Sequence, residues 1–180
     1  NRHHHHGDGA TARATMNKVV TRFPPSPTGY FHIGSARTAL FNYFFTAHHG
    51  GVMYLRFEDT DKARSRKEYE DDIIAGLEWL GIPYTKAEPL RQTERLDAYR
   101  AYLHALIEQG AAYEAEEAEN GKGRIVRFKN PNTRVAFSDL IRGDGVFDTT
   151  ERKDFIIARN IDDPLYHMAV VADDHDTGVT

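Results

Sequence analysis

Apolar positions along the chain change their period several times. KVVTRF (18–23) is a short β-branched run stopped by Pro24 and Pro25, and it predicts a buried strand. From Ser35 onward Ala36, Ala39, Leu40, Tyr43, Phe44 and Ala47 recur at helical spacing until Gly50 and Gly51 end the pattern. VMYLRF (52–57) predicts a second buried strand. Ser65 followed by Glu68 forms a capping box, which opens a helix through Ile73, Ile74, Leu77 and Leu80 that Gly81 closes. Strand, helix, strand, helix with short connections implies a right-handed βαβ unit on a parallel sheet.

Thr93 opens a further helix carrying Leu96, Tyr99, Leu103, Leu106 and Ile107, ended by Gly110. EAEEAENGKG (114–123) is acidic and then glycine-rich, the composition of a linker. Beyond it RIVRFK, RVAF, GVFD, FIIA and LYHMAVV are strand candidates, separated by the turn stretches NPN, RGDG and IDDP. The expected fold class is α/β, with a parallel half over residues 16–112 and a β-rich region over 113–180, inserted or appended. Residues 1–15, NRHHHHGDGATARAT, read as a purification tag and its scar, with the natural chain starting near Met16. Helical spacing assigns Trp79, Tyr99, Phe41, Phe44 and Phe45 to the core rather than to base-stacking platforms.

The 180 residues carry a formal net charge of −4, which argues against binding nucleic acid through bulk positive charge and leaves only local patches. Two exist. Lys62, Arg64, Arg66 and Lys67 are followed at once by acids and fit a solvated face as well as a binding one. Lys122, Arg124, Arg127, Lys129, Arg134 and Arg142 have only Asp139 among them, a better candidate for a strip that meets phosphates. The absence of cysteine excludes disulfides, thiol catalysis and cysteine-ligated zinc, and suits a cytoplasmic protein. No apolar run reaches membrane-spanning length.

SPTGYFHIGS (26–35) is the loop that leaves the first strand and enters the first helix. In an open parallel sheet this is where ligands bind, outside the carboxyl ends of the strands. A helix N-terminus favours a phosphate through its free amides and partial positive charge, worth roughly 0.3 to 1 kcal/mol when exposed. His32 can hydrogen-bond a phosphate oxygen, and Gly34 leaves space for a flat ring. A lone histidine in a glycine-bearing turn is nonetheless more often a structural residue than a ligand.

TRFPPSPTGYFHIGSARTALFNY (21–43) followed by LRFEDTDKARS (55–65) resembles the opening of the catalytic domain of class I glutamyl-tRNA synthetases. His32-Ile33-Gly34-Ser35 stands where that class carries its HIGH signature, with Ser35 in place of the last histidine. Further similarity runs through EYEDDIIAGLEWLGI, QTERLDAYR, VRFK, FSDLIRG and LYHMAVVADDH. The resemblance implies a Rossmann-like first half, with residues 113–180 as a connective region that binds the tRNA acceptor stem. It also implies an N-terminal part of the enzyme, inactive by itself. The chain stops at Thr180, before the family's IRGEDH-like stretch, second half-fold, KMSKS loop and anticodon-binding region. The segment from Tyr113 to Gly121 is shorter than the family's.

The activity implied is ATP-dependent ligation of L-glutamate to tRNA(Glu) through glutamyl-adenylate, a phosphoryl-transfer chemistry that needs positioning and charge stabilisation more than a nucleophilic side chain. The resemblance makes His32 and Gly34 the catalytic candidates, with His32, Gly34 and Ser35 at ATP and Mg²⁺ arriving on the nucleotide. It puts Arg22 on the glutamate side-chain carboxylate, which a guanidinium fork suits. Glu58 takes the substrate ammonium, Ser26 assists, and Tyr166 walls the pocket. Lys122, Arg124, Arg127, Lys129 and Arg142 are the tRNA-binding candidates. No metal site and no zinc are expected: Glu58, Asp59 and Asp61 resemble a hard-cation cluster, but Mg²⁺ sits on the nucleotide. Asp173, Asp174, His175 and Asp176 match a stretch near the acceptor end, on an extended segment. The partners implied are tRNA(Glu), L-glutamate and ATP, with no membrane and a monomeric state.

Two rivals stand beside this reading. One is a related enzyme that attaches glutamate to queuosine in tRNA(Asp), which the wording ARTALFNY and EDTDKARS disfavours; SPTG and EDTD likewise disfavour a glutaminyl enzyme. The other is a non-catalytic tRNA-binding fragment that uses the basic strip.

Overall fold

The structure, a computed structural model, describes residues 18–116, 123–150 and 152–180. Strand β1 (Val20–Phe23), helix α1 (Ile33–His48), strand β2 (Val52–Phe57), helix α2 (Lys67–Trp79) and strand β3 (Thr85–Arg91) form the first layer pair. The three strands run parallel in the order β1-β2-β3, with Val20 opposite Val52 and Phe23 opposite Leu55. β2 is the central strand, and Met53, Leu55 and Phe57 are buried on it with Phe23, Ala39, Ile73, Leu77 and Ile82 around them. That is why VMYLRF is nearly continuous in apolar residues: a strand covered on both faces has no solvent side to alternate with.

A single 3-10 turn (Gln92–Arg95) leads into α3 (Leu96–Glu108). Then come β4 (Ala112–Glu116), β5 (Arg124–Phe128), β6 (Arg134–Asp139), β7 (Gly143–Asp148), β8 (Phe155–Asn160), β9 (Asp163–Pro164) and α4 (Tyr166–Thr177). β4, β5, β8 and β9 make an antiparallel sheet, and β6 pairs with β7 as a separate hairpin. A second core joins Tyr99 and Leu103 of α3 to Val126, Ile157 and Ala158 of this sheet and to Met168, Ala169 and Ala172 of α4. α3 therefore shares its core with the antiparallel sheet. The α/β class with a β-rich companion matches the expectation.

Several elements differ from the sequence expectation. LYHMAVV is not a strand: from Tyr166 the chain is helical, and the run Asp173 to Asp176 that follows is helical as well. Its apolar residues Met168, Ala169 and Ala172 sit on one face at i, i+1, i+4, a helical stripe hidden by the β-branched pair Val170 and Val171. α2 begins at Lys67 with Arg66 as its cap and no side-chain cap bond; Ser65 belongs to the preceding turn, its amide bonded to the Asp61 carbonyl and its hydroxyl buried without a partner among the described residues. The helix expected from Thr93 enters through the 3-10 turn, because the Thr93 amide and hydroxyl are held by Asp59 at 3.0 and 2.7 Å.

β3 was not foreseen; TKAEPLR is polar and carries Pro89, a composition tolerated only at a sheet edge, and β3 is such an edge. The expected linker starts as β4, and residues 117–122 of it lie outside the described part. The core assignment holds for Tyr99, which is fully buried. It fails for Trp79, Phe41 and Phe44, which are 86%, 61% and 59% exposed, and Phe45 is exposed as well. Ala36, Ala39 and Thr46 form the buried stripe of α1, and Phe41 lies about 200° round the helix from Ala39.

Candidate functional site

The carboxyl end of β1 opens into a crevice of about 610 Å³ whose lining includes Arg22, Ser26, Tyr30, His32, Gly34 and Ser35. The loop between β1 and α1 builds most of it, and backbone bonds lace that loop to the one that follows β2. The Glu58 amide donates to the Pro25 carbonyl (3.0 Å), and the Arg66 amide to the Pro27 carbonyl (3.1 Å). The Phe31 amide donates to Asp72 of α2 (2.8 Å), and the Phe31 ring lies against Gly76, where an added Cβ would stand 2.3 Å from it. Gly76 is thus the space that lets the loop lie on α2.

His32 is the cap of α1. Its Nδ1 accepts from the Gly34 amide (3.1 Å) and the Ser35 amide (3.4 Å), and Nε2 lies 3.2 Å from the Ser35 hydroxyl. The amides expected to be free for a phosphate are therefore capped by the chain itself. An Nδ1 that accepts leaves the ring proton on Nε2, where the Ser35 hydroxyl accepts it and an incoming anion would compete for it. A Cβ on Gly34 would lie 3.1 Å from this ring, so the glycine keeps room for the cap as well as for a ligand.

Arg22 leaves the end of β1 and meets Asp174 of α4 in a two-point pair, Nε to Oδ1 and Nη2 to Oδ2, each 3.1 Å. Burial works against its charge, but the Asp174 bond and the nearby Glu58 outweigh it and hold the guanidinium above its ordinary value. Glu58 follows β2 directly and is 6% exposed. Burial pushes its carboxyl up to about 7, against the pull of Arg56 and Arg22. Its Oε1, 3.7 Å from Arg56 Nη2, is buried with no hydrogen-bond partner among the described residues. A buried acceptor left open beside a crevice is a place where an incoming donor would be favoured. Ser26 lines the crevice and is exposed, while Tyr166 begins α4 near Arg22 and is 59% exposed.

Sequence reasoning missed the network behind the crevice. Asp173, 1% exposed, accepts from Arg95 Nε (2.7 Å), from the Tyr99 hydroxyl (2.8 and 2.9 Å) and from Gln92 (2.9 Å), with Arg56 Nε at 3.4 Å. Asp176 pairs with Arg95 and the Tyr102 hydroxyl. Burial and Asp173 hold the Tyr99 hydroxyl above its ordinary value. These carboxylates tie α4 to β1, β2 and α3. An arginine inside the apolar strand VMYLRF was the available signal, since a buried Arg56 demands anionic partners.

Three of the basic candidates have local partners. Arg124 turns to Glu114 (3.5 Å), Arg127 donates to the Asp154 carbonyl (3.2 Å), and Arg134 pairs with Asp148 (3.6 Å). Lys129 is exposed, and Arg142 sits at the exposed tip between β6 and β7. Lys122 lies outside the described residues. Arg127 shares a hollow of about 580 Å³ with Arg152 and Lys153, two cations that sequence reasoning passed over. The first cluster is laced with local acids, Arg64 to Asp61, Arg66 to Glu68 and Lys67 to Asp71. Among the described residues no three acidic or imidazole groups close on a common point for a metal ion, and no helix is long and apolar enough to cross a membrane. A largely apolar hollow of about 420 Å³ lies between α3, β5, β8 and α4, away from the strand ends.

The profile of the family described as tRNA synthetases class I (E and Q), catalytic domain, matches residues 18–120 and 114–180, and the chain belongs to this family. Within it the similar proteins are glutamate enzymes. The chain is 42% identical to the glutamate–tRNA ligase of Oleidesulfovibrio alaskensis, with 92% of the chain and 42% of that protein covered. It is 47% identical to glutamate–tRNA ligase 1 of Rubrobacter xylanophilus over 90% of the chain and 36% of that protein. A glutamate tRNA ligase from Elizabethkingia meningosepticum, solved in complex with its amino acid, superposes with a TM-score of 0.79 at 30% identity, covering 91% of this chain and 43% of that one. The chain thus spans less than half the length of these relatives.

Proposed function

We propose that the chain is the N-terminal, substrate-binding part of an enzyme that ligates L-glutamate to tRNA(Glu) through glutamyl-adenylate. The observation that carries this is the meeting, at the ends of two parallel strands, of the His32 turn with Arg22 and the open acceptor of Glu58. His32 Nε2 donates to the ATP phosphates, and the start of α1 at Gly34 and Ser35 lies under the nucleotide. Arg22 takes the acidic side chain, Glu58 the ammonium, and Ser26 and Tyr166 close the pocket. Held so, the substrate α-carboxylate attacks the α-phosphorus, pyrophosphate leaves, and the acyl group passes to the terminal adenosine of tRNA. These groups supply positioning and charge stabilisation, the main needs of such a transfer.

Mg²⁺ comes with ATP as part of the substrate. The described part of the basic set, Arg124, Arg127, Lys129 and Arg142, meets acceptor-stem phosphates from the region after Tyr113, with Lys122 completing it. The protein works in the cytoplasm as a monomer. The test is ATP–pyrophosphate exchange on the full-length gene product with tRNA(Glu) present. Glutamate-dependent exchange is expected. No exchange, with RNA binding that falls steeply as salt rises, would instead make this a tRNA-binding module.

A further inference from the structure

The guanidinium of Arg22 is gripped from its side. Asp174 takes Nε and Nη2, and among the described residues Nη1 has no protein partner although the side chain is only 30% exposed and lines the crevice. A planar fork bound through Nε and Nη2 keeps its far edge, Nη1 with the second proton of Nη2, for another carboxylate. Asp174 is itself braced: Arg56 Nη2 donates to the same Oδ1 at 3.1 Å, and Arg56 is buried against Asp173 and Glu58. The neighbouring Asp173 is clamped by Arg95, Tyr99 and Gln92, so the helix that carries Asp174 is fixed to α3 one residue away.

We propose that Asp174 is a positioning residue that locks the Arg22 guanidinium side-on, so that its free edge meets the substrate's acidic side chain. This rests on the reading of Arg22 as the ligand of that carboxylate. The grip needs both carboxylate oxygens: an asparagine offers one acceptor and sets an NH₂ against the guanidinium. When Asp174 is replaced, Arg56 loses its hydrogen bond there but keeps its ion pairs with Asp173 (3.4 Å) and Glu58 (3.7 Å), whereas Arg22 loses both points of its grip.

The experiment measures exchange kinetics in the full-length enzyme, tRNA present, for Asp174→Asn, Asp174→Glu, Asp176→Asn and Arg22→Gln. Asp176 lies on the same helix and pairs with Arg95 and Tyr102 but does not touch Arg22. Asp174→Asn is expected to raise the glutamate KM roughly tenfold or more, the scale of a lost charged hydrogen bond, with the ATP KM and kcat within about twofold. Asp174→Glu recovers part of the loss, and Asp176→Asn lowers Tm without moving the glutamate KM. An unchanged glutamate KM in Asp174→Asn overturns the proposal. So does a lowered one, which would make Asp174 a competitor for Arg22, and so does a parallel rise in both KM values with the Tm loss of Asp176→Asn. An Arg22→Gln enzyme with normal glutamate KM overturns the underlying reading of Arg22; a raised KM there with an unaffected Asp174→Asn removes the positioning role alone.

Discussion

Replacing Glu58 by glutamine removes a carboxyl that burial has pushed up to about 7 and that lies beside the proposed ammonium site. If the ionised form holds the ammonium, the competent fraction of ligand-free enzyme is set by this titration, and apparent affinity scales with that fraction. Between pH 7.5 and 5.5 the ionised share falls from about three quarters to about 3%, so the glutamate KM of the unsubstituted enzyme should rise about 25-fold on acidification. Glu58→Gln should be flat within about twofold over the same window, at the weak end of the range. Exchange assays at fixed saturating ATP read both curves. Stability has the opposite sign: the folded, ligand-free chain holds a proton that the unfolded chain releases near 4.5. Its contribution is complete below that pH and is lost as pH rises through about 7. Urea titrations at pH 5 and 8 should show this slope reduced in Glu58→Gln. A glutamate KM equal at pH 5.5 and 7.5, or an identical pH slope in Glu58→Gln, refutes the reasoning.

Asp173→Ala leaves Arg95, Gln92 and the Tyr99 hydroxyl without their buried acceptor, takes an ion-pair partner from Arg56 and should cost about 3 to 5 kcal/mol in urea unfolding; a loss below about 1 kcal/mol would contradict the network. Trp79→Ala should change stability by no more than about 0.5 kcal/mol, because the ring is exposed, whereas Tyr99→Ala should cost about 3 kcal/mol or more. Gly76→Ala puts a methyl into the Phe31 ring and should destabilise by about 1 to 3 kcal/mol despite the better helix former, raising the ATP KM as the loop moves. An ATP KM unchanged in that variant would show that the loop does not depend on this contact.

The first half of the fold was readable because its signals are local. β2 is a six-residue run, apolar except for Arg56, that coincides with the expected strand, and the loop from Ser26 to Ser35 lies between a proline stop and a helical period. What escaped depends on partners distant in sequence. β3 is polar because it is an edge, and nothing in TKAEPLR says which strand it will join. α4 looks β-branched locally, and its helical stripe packs against the antiparallel sheet while Asp173 has hydrogen-bond partners 74 to 81 residues away. The same holds at the site. Arg22, Ser26, His32, Gly34 and Ser35, which line the crevice, lie within one short stretch of chain, whereas Asp174 enters from 152 residues on. The exposed Phe41 and Phe44 show the limit of periodicity, which finds a stripe but not which of two overlapping stripes is covered.

The bond from Asp174 to Arg22 also determines where such proteins can be cut and rejoined. A chimera that takes β1 and β2 from one relative and α4 from another separates the arginines from the acids that neutralise them. Strands and helix have to travel as a set, and a crossover between residues 60 and 165 succeeds only when both donors carry the same carboxylates on that helix. For anyone recombining or redesigning this scaffold, the unit of exchange is the charge cluster, whichever secondary elements it spans.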